Sequence, residues 1–391
     1  MSPTSAEPPH PERAAGPEQA VDPERAVARQ QGAPADRGRA ICAEDGQAAQ
    51  AEHPEAAGAE RLRATHTDHG RAAHVEQSGP DGDAEPNGPV VSRQEFDRIF
   101  EAVRTWGRWD PADRGAWNRV TEEHVRRATG RVRSGLVVPM ALPWNTRPGP
   151  DNRKPALHHM TDLGDVESPE PTTHKDFLAA DYHGKGVTHL DALSHIAYRG
   201  RLYDGRAAHE SVDAAGARFG TVAALGPLVT TGVLLDLPAV LGVRWLEPGR
   251  AVRAKDVLAA EKALGVTIGE GDAVLLRSGQ VRRRTELGAW DPDTASAGFH
   301  VDALPLLAER GVCLLGGDGD SDVRPSPVPG VHSPVHALAV TAMGVPLLDN
   351  LDLEALAAAT AGAGRYTFLL VVAPLNVPGG TGSPVNPVAV L

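Results

Sequence analysis

From about Ser92 onward, short apolar runs of strand length alternate with helical repeats. Leu136-Val-Val-Pro-Met-Ala-Leu, Val233-Leu-Leu-Asp-Leu, Ala273-Val-Leu-Leu-Arg, Val312-Cys-Leu-Leu-Gly and Thr367-Phe-Leu-Leu-Val-Val are bounded by Gly, Pro or Asp, as buried strands are. Between them, Ala254–Ala263, Val301–Glu309 and Leu353–Ala361 place apolar residues at helical spacing. Upstream, Ser92-Arg-Gln-Glu95 reads as a capping box, with Phe96, Ile99, Phe100 and Val103 following on one helical face. Thr121-Glu-Glu-His-Val opens a second helix, predicted to run to Val132 with Val125 inward. Buried strands interleaved with helices predict an α/β domain whose sheet is covered on both faces. No internal repeat is visible.

The first ninety residues lack this pattern. They contain no aromatic residue, Phe96 being the first in the chain, and their large aliphatics are Met1, Val21, Val27, Ile41, Leu62, Val75 and Val90. So little apolar surface cannot offset the entropy of ordering the segment. Residues 1–91 are therefore expected to be a disordered, acidic Ala/Pro-rich tail, and residues 92–391 one folded domain. Length alone, at 391 residues, would have suggested two or three domains. Histidines 10, 53, 66, 69 and 74 lie in the tail, but their irregular spacing does not favour a metal site there.

Charge sharpens the division. Two-thirds of the formal net charge of −12 falls in the tail, so the folded part is nearly balanced and lacks the basic footprint of a nucleic-acid binder. The two cysteines, Cys42 and Cys313, are too few for a disulfide framework. The most apolar stretch, Thr221 to Val243, is interrupted by Asp236, Pro227 and Pro238, so no membrane span is expected. The start has neither a basic nor an apolar region of a signal peptide. A cytoplasmic protein that engages no nucleic acid and no membrane is expected.

The densest polar constellation runs from His183 to His195, His-Gly-Lys-Gly-Val-Thr-His-Leu-Asp-Ala-Leu-Ser-His. His189 and Asp191 are two apart and share a face of an extended strand. If the strand reaches back to His183, that residue and Lys185 project from the same face. Two imidazoles and a carboxylate suit Zn²⁺ or Mn²⁺ with a position left for water. His195 lies where a turn would return its side chain toward the site.

Two further clusters follow. His336 begins an apolar stretch, while His332 reads as a loop residue. Asp349 ends the run Val345-Pro-Leu-Leu ahead of a helix, where an N-cap is the ordinary role. The run Gly316-Gly-Asp-Gly-Asp-Ser-Asp322 follows a predicted strand, where carboxylates can serve a metal or substrate. It is not an EF-hand loop, since Pro329 stands where the terminal Glu would be. Pro378-Gly-Gly-Thr-Gly-Ser-Pro384 has no Lys and is no phosphate loop.

The segment Thr188, His189, Asp191, His195 resembles the H-x-G-T-H-x-D-x-P-x-H run of the metal-dependent cyclase-like hydrolases, which include bacterial kynurenine formamidase and isatin hydrolase. Trp106-Gly, Trp117-Asn, Tyr203-Asp-Gly, Gly271–Gly279, Gly317-Asp318, His336 with Asp349-Asn-Leu, and Gly379–Pro384 extend the similarity over roughly residues 105–391. The resemblance implies a single β/β/α cyclase-like domain with a buried mixed sheet flanked by helices, a homodimer, and one or two metals per subunit. By position, it makes His189 and Asp191 first-metal ligands, His336 and Asp349 second-metal ligands, and His195 the catalytic histidine.

Three departures stand out. Lys185 falls on the first motif histidine and cannot ligate while protonated, so His183 is the candidate replacement. Leu193 replaces the motif Pro, and Asp349 stands where Glu is usual. The resemblance implies hydrolysis of a C–N bond in a small cyclic or linear amide, of the arylformamidase type that takes N-formyl-kynurenine to kynurenine in tryptophan catabolism. Metal-activated water would be the nucleophile, and Lys185 and Tyr203 candidate substrate contacts. A cyclase or lyase, or a binding module with a decayed site, are the alternatives.

Overall fold

Continuous apolar runs form the middle of a nine-stranded mixed sheet in the computed structural model, which describes residues 88–164 and 170–391. In chain order its strands are β1 (Val137–Pro139), β2 (His189–Asp191), β3 (Leu228–Asp236), β4 (Ala273–Arg277), β5 (Leu314–Gly317), β6 (Leu347–Asp349), β7 (Thr367–Val372), β8 (Gly382–Pro384) and β9 (Val388–Val390). They lie side by side as β1-β9-β7-β3-β4-β5-β6-β2-β8. Neighbours from β3 to β6 pair in parallel, and every other pairing is antiparallel.

Strand alternation explains why these runs have no polar break. Val233 and Leu235 of β3, Val274 and Leu276 of β4, and Leu315 of β5 enter a core on one face of the sheet. Their neighbours Leu234, Ala273, Leu275 and Leu314 enter a second core on the other face. Both faces of a parallel sheet are buried, so both sets must be apolar. The expected mixed sheet flanked by helices is what forms.

The first core is covered by the helix Arg93–Val103, whose Phe96, Phe100 and Val103 point inward, and by the wholly buried π-helical stretch Ala337–Met343. Ser92 caps the first helix by accepting from the Glu95 N–H at 3.1 Å, as its capping signature predicts. The second predicted helix, Glu122–Thr129, stops short of Val132 because Gly130 ends it, and Ala128 rather than Val125 is its buried residue. The predicted Val301–Glu309 helix begins as a 3₁₀ turn, Val301–Ala303, and becomes α-helical over Leu304–Arg310.

Among the elements not predicted is an exposed hairpin. Leu157–Asp162 and Lys175–Ala179 form an antiparallel hairpin apart from the main sheet, and nearly all its residues are exposed. With no buried face it shows no hydropathy alternation to find. No described helix is long and apolar enough to cross a membrane. The expectation of a disordered tail over residues 1–91 concerns, up to residue 87, residues outside those described.

Candidate metal centre

Strand β2 carries the centre of the site. It lies between β6 and β8, with Asp349 opposite His189 on one side and Gly382 opposite Asp191 on the other. Opposed residues of an antiparallel pair share a face, so Asp349 projects beside His189 and Asp191. Leu190 between them points into the second core. All three polar residues are buried.

Asp349 is thus a strand residue rather than the N-cap its local sequence suggests. The helix after it begins at Glu354, with Leu353 at the cap position. Its Oδ1 accepts a hydrogen bond from Ser321 Oγ at 2.6 Å, leaving Oδ2 3.4 Å from His336 Nε2.

His183 does not sit on the strand. Residues 182–187 form turns and bends, and β2 starts only at His189. The expected same-face projection of His183 and Lys185 is therefore corrected. A turn returns the His183 ring, and its Nδ1–H donates to Asp191 Oδ1 at 2.8 Å. Thr381 lies 3.1 Å from its Nε2. His195 also sits in a turn, its ring stacked on that of His183 with Nε2 3.8 Å from Asp191 Oδ1.

Two histidines have one nitrogen anchored and the other aimed inward. His189 Nδ1–H donates to the Val187 carbonyl at 2.9 Å, which leaves Nε2 3.4 Å from Asp191 Oδ1. His336 Nδ1–H donates to Asp322 at 2.5 Å, which leaves Nε2 within 3.6 Å of Asp191, Asp320 and Asp349. Fixing Nδ1 with a carbonyl or carboxylate sets the tautomer and presents Nε2 as a ligand. Asp322 also accepts the Val335 and His336 N–H groups at 2.7 and 3.2 Å, so it caps the turn that carries His336.

Electrostatics follow from this crowding. Burial works to raise the Asp191 carboxyl, but the imidazoles of His189 and His195 and the His183 hydrogen bond hold it well below the usual range. Burial disfavours charge on His336, yet Asp322, Asp349 and Asp320 raise it well above an ordinary imidazole. Burial dominates at His195 and, with His183, His336 and His189 beside it, lowers that ring to about 4 against the pull of Asp191.

The residues fit a divalent cation. Asp191 Oδ2 is buried and has no hydrogen-bond partner among the described residues. Such an oxygen is costly unless something positive meets it. Donor atoms of His183, His189 and Asp191 lie within 4.8 Å of one another, as do those of Asp191, His336 and Asp349. A proton held on His336 by the surrounding acids is what a cation would displace.

Lys185 and Tyr203 part company. Lys185 pairs through Nζ with Asp320 and lies 3.5 Å from Asp293. It lines a cavity of about 440 Å³ with Asp320 and Asn350, and Trp144 and Trp290 form part of the wall. Tyr203 is wholly buried, its hydroxyl within 3.1 Å of Thr105 Oγ1. A Cβ on Gly344 would come within 2.6 Å of its ring. Tyr203 is packed in the core and does not line this cavity, where a substrate contact was expected of it.

Asp320, Asp322 and Asn350 received no role from sequence. The first two belong to the acidic run after β5 and were visible as strand-end carboxylates. Asn350 adopts a left-handed backbone, φ 58°, and its amide donates to the Gly184 and Val187 carbonyls, holding the turn before β2.

A family model described as a putative cyclase matches residues 157–321. A crystal structure of a novel cyclase is similar at 27% identity, covering 75% of this chain and 99% of that chain, with a TM-score of 0.67. Isatin hydrolase A from Ralstonia solanacearum is more distant, at 22% identity over 67% of this chain and 93% of that one, TM-score 0.45. A predicted metal-dependent hydrolase from Bacillus stearothermophilus shows 18% identity over 65% and 97%, TM-score 0.41. No curated protein gives a significant match. The family resemblance read from the motif is borne out.

Proposed function

Taking the cyclase family resemblance as premise, we propose that this protein is a metal-dependent hydrolase of a C–N bond in a small cyclic or linear amide, of arylformamidase type. The observation that carries the reading is the buried Oδ2 of Asp191, which has no hydrogen-bond partner among the described residues and is approached by His336 Nε2, while His189 and His195 border Oδ1 of the same carboxylate. A bound Zn²⁺ or Mn²⁺ would polarise the substrate carbonyl and lower the pKa of water toward neutrality.

The chain's own residues supply the rest. His183, His189 and Asp191, with His336 and Asp349, are the residues that would hold the ion. Asp322 and the Val187 carbonyl orient two of the rings. His195, kept neutral by burial, is suited to take a proton from water and return it to the departing nitrogen. Trp144 and Trp290 give the neighbouring cavity flat apolar walls that suit an aryl group.

Metal analysis and substrate assay test the reading together. Purified protein should contain Zn²⁺ or Mn²⁺, lose activity to a chelator and regain it on readdition. N-formyl-kynurenine, isatin and simple aryl amides are the first substrates to try. A metal-loaded protein that hydrolyses none of them points to a cyclase or lyase. A protein that takes up no metal and gains no activity points to the binding-module alternative.

A further inference from the structure

Four carboxylates surround the His336 ring: Asp191, Asp320, Asp322 and Asp349, all buried. Buried carboxylates are expensive unless each is paired or hydrogen-bonded. They fall into two unlike halves.

Asp322 is satisfied by the protein itself, and Asp320 has two cations on one of its oxygens. Asp320 Oδ2 is shared by the Lys185 ammonium and by Arg324 Nη2, the latter at 2.9 Å. Both cations are largely buried with it. Asp322 accepts two backbone N–H groups and the His336 ring N–H. Asp191 and Asp349 are less provided for. Asp191 has its bare Oδ2, and Asp349 Oδ2 meets only the 3.4 Å approach of His336.

We infer that the Lys185 ammonium is a resident cation of this cluster, and that the site consequently takes one divalent ion, on the Asp191–Asp349 side, rather than two. The inference rests on the proposed metal-dependent reading and sharpens it. With the imidazoles neutral, Lys185 and Arg324 offset two of the four negative charges, and one divalent ion offsets the other two. A second divalent ion would compete with an ammonium already fixed on Asp320. The group Asp320, Asp322 and His336 has ligand-like spacing, yet Asp320 Oδ2 is held by Lys185 and Arg324, and Asp322 by the His336 ring and two backbone N–H groups, which leaves Asp320 Oδ1 and His336 Nε2 as its open donors. Lys185 and Asp320 both border the cavity, so the ammonium meets it beside the carboxylate it pairs with.

The test is metal stoichiometry on the full chain. Metal-free protein is titrated with Zn²⁺ and with Mn²⁺ by calorimetry, and bound metal is counted after dialysis by elemental analysis. The wild type is expected to saturate at one ion per chain. Lys185→Met removes the ammonium and should admit a second ion, doubling the count. Lys185→Arg keeps the charge and should remain at one. Circular dichroism of each variant confirms folding, and the wild-type count decides the question if Lys185→Met does not fold. Two ions in the wild type, or one in a folded Lys185→Met, overturns the inference and leaves the metal-dependent reading standing. No ion in the wild type overturns both.

Discussion

The imidazoles of His183 and His195 stack face to face, with ring centroids 3.7 Å apart and planes within 2° of parallel. Two stacked rings at that distance cannot both carry charge cheaply. Burial and the neighbouring imidazoles lower His195 to about 4. In the unfolded chain the same ring would take its proton near 6.5. Folded, His195 should therefore stay neutral as pH falls from 8 to 5. Proton NMR of the His195 ring in metal-free protein checks this, and a midpoint near 6.5 would refute it.

Removing that ring should separate chemistry from metal binding. His195→Ala is expected to lower kcat by about 10²- to 10⁴-fold, the usual contribution of a positioned acid–base group. Metal content should be unchanged, because His195 is the furthest of the rings from Asp191. Parallel loss of metal would move His195 from proton transfer to ligation.

Asp191 should couple metal to stability. A cation that binds only the folded state stabilises it by about 2.7 kcal/mol at a hundredfold excess over Kd. Added metal is thus expected to raise the melting temperature of the wild type and to leave that of Asp191→Asn unchanged. Differential scanning fluorimetry reads both, and an equal rise in the variant would show that the ion binds elsewhere.

Asp322 acts through His336, whose ring nitrogen and backbone it holds. Losing a carboxylate that orients a ligand typically costs about 10- to 100-fold in metal affinity. Asp322→Ala should show such a loss by calorimetry, and kcat should recover at saturating metal. A kcat that stays low at saturation would indicate a direct role in the reaction.

The aryl assignment rests on the cavity wall. Trp290→Ala should raise KM for an aryl amide while changing KM little for a small aliphatic one. Steady-state kinetics on the two substrates decide it, and equal effects on both would deny the ring a part in recognition.

Local sequence determined the frame of this protein. The run of β4 appears at the predicted residues because a strand buried on both faces must be apolar throughout, while β7, also at its predicted residues, buries every second side chain fully. His189 and Asp191 share a face because strand geometry has a period of two. Only tertiary structure decided the rest of the site. His183 reaches Asp191 from a turn held by Asn350, a residue 166 positions from Gly184 in sequence. Asp349 leaves its ordinary capping role because β6 pairs with β2. Asp322 meets His336 across 14 residues. Tyr203, polar-tipped and near the motif, is consumed by packing against Gly344 and Thr105. Each of these depends on which strands and turns become neighbours, and hydropathy along a chain records burial without recording the neighbour.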